Sequence, residues 1–190
     1  MKSKKFLSLI ISIFIGTSIF AASSNAANSA DTNSTKTGSA QTQKDGEIIA
    51  ILIAVDKNEI AAAKEALKKE TTSAIKQYAQ MLKTQHTQNL NETLKLSKQI
   101  DIAPIDTATV ISLQQDGAKG LVTLSSLKGK DFEKAYINAM VTGHTDVLKM
   151  IDDDLLKNVS NPSLKKFLLA TRPHIESHLL QGKTIQKGLN

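Results

Sequence analysis

His86, His144 and His178 stand where a helical pattern would place leucine. Each interrupts the apolar stripe of a different predicted helix, near its midpoint, and Glu59 holds the equivalent place on a fourth. Four helices packed side by side would bring these groups to one depth in one core. A buried imidazole or carboxylate costs free energy unless it has a partner. A shared metal ion would partner all four, and three imidazoles with a carboxylate suit Zn, Fe, Cu or Mn. Ligand type alone does not choose among these metals. The competing reading is a hydrogen-bonded network between Glu59 and the histidines that fixes helix register without metal. His174 lies one turn from His178, so both could meet one ion, but it sits off the main stripe and reads as a rim or exposed residue.

The elements that must position these residues are helical almost throughout. Helix A spans about 45–69, with the stripe Ile48, Leu52, Val55, Glu59, Ala62 and Ala66, at alternating steps of four and three. Thr71, Thr72 and Ser73 supply N-cap chemistry for helix B, about 73–100, whose stripe is Ile75, Ala79, Leu82, His86, Asn89, Thr93, Leu96 and Ile100. Pro104 ends the following turn. A shorter helix C, about 107–127, is weakened by Gly117 and Gly120. Asp131 then reads as the N-cap of helix D, about 132–157, with the stripe Ile137, Met140, His144, Leu148, Ile151 and Leu155. Helix E follows the loop 160–163, with Leu164, Leu168, Thr171, Ile175, His178, Gly182, Ile185 and Leu189. Pro173 predicts a kink within a turn or two of His178. No stretch alternates with period two, which argues against a β-barrel. The pattern predicts an all-α antiparallel four-helix bundle, two hairpins joined by a long crossover that holds the extra helix.

Residues 1–26 read as an export signal. Lys2, Lys4 and Lys5 precede an apolar run from Phe6 to Phe20, and Ser24-Asn25-Ala26 fits a cleavage site. Cleavage after Ser23 is the second choice, and an uncleaved anchor the alternative. Residues 27–44, made of small and polar side chains, predict a disordered linker, leaving 45–190 as one bundle domain. These readings place the chain in the periplasm or outside the cell, with no membrane span in the mature part.

The formal net charge of +6 falls to about +3 once the three signal lysines are removed. One arginine, Arg172, and four aromatics, Tyr78, Phe132, Tyr136 and Phe167, remain beyond the signal. Clustered arginine and stacking aromatics are the marks of nucleic-acid binding, and neither is here. There is no cysteine, which excludes disulfides, a cysteine nucleophile and a lipid anchor at cysteine. No Gly-rich phosphate loop occurs, and no Ser-His-Asp order can be assigned. Asp152, Asp153 and Asp154 read as a solvated acidic cluster.

Certain segments resemble a known group. They are Asn58-Glu59-Ile60, Gln85-His86-Thr87, Asp131-Phe132-x-x-x-Tyr136, Gly143-His144 and Pro173-x-Ile175-x-x-His178. Across about 45–189 the chain is similar to an exported bacterial ferritin-like family of unknown function, often labelled an "outer membrane protein". The resemblance implies a ferritin-like four-helix bundle and export, and no set activity. Two departures stand out. The family usually carries an acidic residue just before the first histidine, where this chain has Gln85, so a supporting carboxylate would be missing. The di-iron bundle pattern needs Glu three residues before His, and those positions are Lys83, Val141 and Ile175.

Three functions follow as expectations. The first is a periplasmic bundle that binds a transition-metal ion through Glu59, His86, His144 and His178. The second is a structural or interaction module, tied to an envelope partner or to envelope stress, with a metal-free polar core. The third, and the least supported, is an enzyme with an open metal position.

Overall fold

The computed structural model describes residues 32–189, with side-chain surroundings from residue 40 onward. Residues 1–26, read from the sequence as an export signal, lie outside the described residues. All regular structure among the described residues is helical: α1 (Thr32–Lys68), α2 (Ser73–Gln99), α3 (Ala108–Ser126), α4 (Gly129–Met150) and α5 (Pro162–Gly188). Helix α4 runs on through a π-helical stretch, Ile151–Leu155, and a last turn, Leu156–Asn158.

Helix α1 begins at Thr32, inside the stretch 27–44 read as a linker. Nucleation is the costly step in making a helix, and extension adds one bond per residue. The packed segment beyond Asp45 can therefore carry the helix back through small polar residues that bury little themselves. From Ile48 to Leu52 every residue is buried, because α1 packs against α2 on one side and α3 on another.

Two sequence-based expectations about helix starts need correction. Thr72 is the N-cap of α2, but its side chain makes no cap bond. Its backbone N–H donates instead to Glu133 Oε1 at 2.5 Å, so α4 supplies the capping oxygen. Helix α4 starts at Gly129 behind Lys128, not behind Asp131, which instead falls in the first turn, where a negative charge suits the helix dipole. Gly129 has φ +54, a backbone region that glycine enters without strain. Asn161 caps α5 as its type suggests, accepting from Ser163 N at 2.9 Å and Leu164 N at 3.2 Å, with Pro162 in the first turn. Pro173 sits within α5 without ending it.

Long-range bonds fix the directions of the helices. Asp45, early in α1, accepts from Ser160 N and Asn161 N at the α4–α5 turn. Ile105 N, after α2, donates to Gly46 O. A Cβ at Gly46 would fall 2.7 Å from Ala103 O, so only glycine admits this approach. At the other end, Lys69 Nζ reaches Ser125 O, and Thr72 reaches Glu133. Helices α1, α3 and α5 therefore run one way, and α2 and α4 the other. Helix α3 is the crossover between the hairpins α1–α2 and α4–α5.

The apolar core is in two parts. One holds Ile48 to Leu52, Ile151, Leu155, Leu164 and Leu168. The other holds Ala62, Ala63, Ile75, Leu82, Phe132, Tyr136 and Ile137. Between them lies a layer of buried polar side chains: Asp56 and Glu59 from α1, His86 from α2, His144 from α4 and His178 from α5.

Candidate metal centre

The three imidazoles converge as their positions in the stripes imply. Ring centroids are 5.7 Å apart for His86 and His144, 5.2 Å for His86 and His178, and 5.3 Å for His144 and His178. One nitrogen from each ring lies within 4.8 Å of those of the other two. Each histidine is 2 % exposed. His174, one turn from His178, is exposed.

The outward nitrogens fix the chemistry of the inward ones. His86 Nδ1 lies 2.8 Å from Asp56 Oδ1, His144 Nδ1 lies 2.8 Å from Met140 O, and His178 Nε2 lies 2.6 Å from Gln85 Oε1. All three partners are oxygen acceptors, so each of these nitrogens carries the hydrogen and donates it. In the neutral ring the other nitrogen then holds a lone pair. Those other nitrogens are His86 Nε2, His144 Nε2 and His178 Nδ1, and all three are buried without a hydrogen-bond partner. Glu59 Oε2 is a fourth such atom. With the rings neutral, these four atoms are buried acceptors that no hydrogen bond serves, an arrangement that costs free energy as it stands and suits a cation.

Glu59 lies beside the cluster. Its Oε1 is 3.9 Å from His144 Nδ1, beyond hydrogen-bond distance, and that nitrogen already serves the Met140 carbonyl. The direct Glu59–His hydrogen bond that a metal-free network would use is not formed.

Electrostatics follow this geometry. Burial pushes the His178 imidazole down to about 3, helped by the neighbouring imidazoles His86, His144 and His174. Burial also lowers His144, against the pull of Glu59. For His86, burial disfavours the charge, but the hydrogen bond to Asp56 and the charges of Glu59 and Asp56 outweigh it and hold the group above its ordinary value. Two of the three rings therefore stay neutral at neutral pH, the state in which imidazole ligates.

The sequence reading missed Asp56. It lies one turn before Glu59 on α1, a carboxylate inside an otherwise apolar run, and that is the signal that could have found it. Its second oxygen accepts from Asn89 Nδ2 at 2.9 Å, and Asn89 Oδ1 accepts from Thr171 at 3.1 Å. Asn89 and Thr171 were already visible as polar interruptions of their stripes. The supporting carboxylate expected just before His86 is therefore not lost. It comes from α1, while Gln85 serves His178.

A family comparison covers this whole arrangement. The model of a domain of unknown function, DUF4142, matches residues 29–185. The chain belongs to the DUF4142 family. No curated protein and no solved structure gives a match. The matched span of the DUF4142 domain contains all three histidines, Asp56 and Glu59, and the helices that carry them up to residue 185 of α5. No helix among the described residues is long and apolar enough to cross a membrane.

Proposed function

We propose that the protein is an exported, periplasmic bundle of ferritin-like architecture. In this reading it binds one transition-metal ion through His86, His144 and His178, with Glu59 as the fourth ligand. One observation carries the reading: one nitrogen from each of three buried imidazoles lies within 4.8 Å of the other two, and beside them Glu59 Oε2 is buried without a partner. Burial keeps His144 and His178 neutral, so protons do not readily satisfy their free nitrogens. A cation satisfies all four at once. The nitrogens would draw in by small side-chain rotations toward the spacing of about 3.3 Å that metal–nitrogen bonds near 2 Å imply for a tetrahedral ion.

The donor set suits Zn, Cu, Fe or Mn and offers no thiolate to favour a softer ion. Asp56, Met140 O and Gln85 each hold a ligand ring by its outer nitrogen, as supporting groups do in metal proteins. A di-iron ferroxidase centre fits poorly. Such a centre takes a Glu-x-x-His pair from each of two helices, and Lys83, Val141 and Ile175 stand at the glutamate positions. Export rests on the lysines and apolar run of residues 1–26, and the bundle's ferritin-like character on its two hairpins and long crossover.

The test is metal content. Residues 27–190, produced without a histidine tag, should carry close to one equivalent of metal, and His144→Ala and His178→Ala should lose it. A metal-free protein whose thermal stability does not rise with Zn, Cu, Mn or Fe(II) overturns the reading, because a ligand bound only by the native state must stabilise it.

A further inference from the structure

A cavity of about 100 Å³ lies between α1, α3 and α4, outside the histidine cluster. Helix α3 spans it. That helix is buried near its two ends, at Val110 and Leu124, and leaves a gap beneath its middle. Gly117 lets α3 approach α1 closely, since a Cβ there would fall 2.2 Å from Asn58 Cγ. Asn58 Nδ2 donates to Leu113 O and ties the two helices. The Asn58 amide oxygen is left over as an acceptor.

The charge in this cavity is one-sided. Glu59, Asp116 and Asp146 line it, and no lysine or arginine does; Asp116 also meets the exposed Lys119 at 3.4 Å, from outside the lining. Asp146 is half-buried and has no hydrogen bond or ion pair. Glu59 is 8 % exposed, and its Oε2 has no partner. Gly143, the residue before His144, leaves backbone-width space beside Glu59: a Cβ there would be 3.5 Å from Glu59 Oε1. Glu59 thus borders the cavity on one side and His144 on the other.

We infer that this cavity is the path by which a divalent cation reaches the histidines, with Asp116 and Asp146 drawing it in and Glu59 passing it on. The inference rests on the metal-binding reading above. Apolar walls around charges of one sign focus their field and raise the local cation concentration. Oxygen donors along the way, from Asp116, Asp146, Asn58 and Glu59, can replace the water that a hydrated ion must shed. A path alters both loading and release and leaves the equilibrium between them unchanged.

The test uses Co(II) as probe, with loading of the chelated protein followed by its visible absorption in a stopped-flow instrument. At low ionic strength, Asp116→Asn/Asp146→Asn should load about tenfold more slowly than wild type. Its stoichiometry and equilibrium affinity should stay within about twofold of wild type, because neither residue is a ligand. Added salt should slow wild type and barely alter the double variant. Equal loading rates for the two proteins, or a wild-type rate insensitive to salt, overturn the path while leaving the centre standing. A wild-type protein that takes up no Co(II) overturns the centre and the path with it.

Discussion

Asp56 Oδ1 accepts the Nδ1 proton of His86 at 2.8 Å, and both side chains are 2 % exposed. The pair joins α1 to α2 within the layer that divides the core. It fixes the tautomer of His86 and points a lone pair on Nε2 toward His144 and His178. Asn89 holds the second oxygen of Asp56 and is itself held by Thr171, so the ring's orientation is set by residues from three helices.

Asp56→Asn keeps the shape of this acceptor and removes its charge. The His86 ring then becomes a weaker base and a less firmly held ligand. Metal affinity should fall by about 10- to 100-fold, the usual effect of losing such a support. Competition with a chromophoric chelator measures it. An affinity equal to wild type would show that Asp56 serves only the fold.

In the chelated protein, stability should fall as pH drops below neutrality. Burial, aided by the imidazoles of His86, His144 and His174, holds the folded His178 near 3, against 6.5 for an ordinary histidine. The unfolded chain therefore takes a proton that the folded chain refuses. The stability tied to His178 is full above about pH 6.5 and is lost as pH falls toward 3. At pH 5 the loss from this group is about 2 kcal/mol. His144, also lowered by burial, acts in the same direction. His86 acts in the opposite one. Its raised value gives stability that is fully present below pH 6.5 and is lost only as pH rises through its folded value. Urea unfolding at pH 7 and pH 5 in the presence of chelator, for wild type and His178→Gln, isolates the His178 part: the loss on going to pH 5 should be smaller in the variant by about 2 kcal/mol, and equal losses would contradict it.

Much of this centre could be read in the sequence because the helical period is a strong signal. His86, His144 and His178 occupied stripe positions that every neighbouring apolar residue confirmed, and the structure buries all three. Asp56 was illegible for a related reason. The stripe of α1 was drawn for a helix with one buried face, whereas α1 is enclosed by α2 and α3 and hides Asp56 outside that stripe. The start of α4 was misplaced because Asp131 is a good cap by type, and nothing local reveals that Gly129 takes a positive φ and opens the helix earlier. The role of Gln85 needed the fold itself, since its partner His178 is 93 residues away.

Asp45 supplies a control unrelated to metal. It is 1 % exposed and accepts from Ser160 N at 2.9 Å, Ser160 Oγ at 2.5 Å and Asn161 N at 3.0 Å, pinning the α4–α5 turn to α1. Asp45→Ala strands these donors beside an apolar cluster. The expected cost is about 2–4 kcal/mol, given that a hydrogen bond to a charged group contributes about 1.5–3. Metal content should be unchanged after refolding, because the ligands lie some three to four turns along α1 and beyond. Denaturant unfolding paired with metal analysis checks both halves, and loss of metal in a folded Asp45→Ala protein would show that the turn and the centre are coupled.

His144→Leu should separate stability from binding. In the metal-free protein, His144 Nε2 is a buried acceptor with no donor, and a leucine of similar bulk removes it while continuing the stripe of Ile137, Met140 and Leu148. Deleting an unsatisfied buried polar group recovers its desolvation cost, about 1–3 kcal/mol. The chelated variant should therefore melt above chelated wild type. Added metal should reverse the order. Wild type gains about 2.7 kcal/mol at a free metal concentration one hundred times its Kd, and a variant lacking one ligand gains far less. Melting curves of both proteins, with chelator and with metal, decide the matter. A chelated His144→Leu protein that melts below chelated wild type would show that His144 is already satisfied without metal, and the metal-free polar core would then be the better account of these histidines.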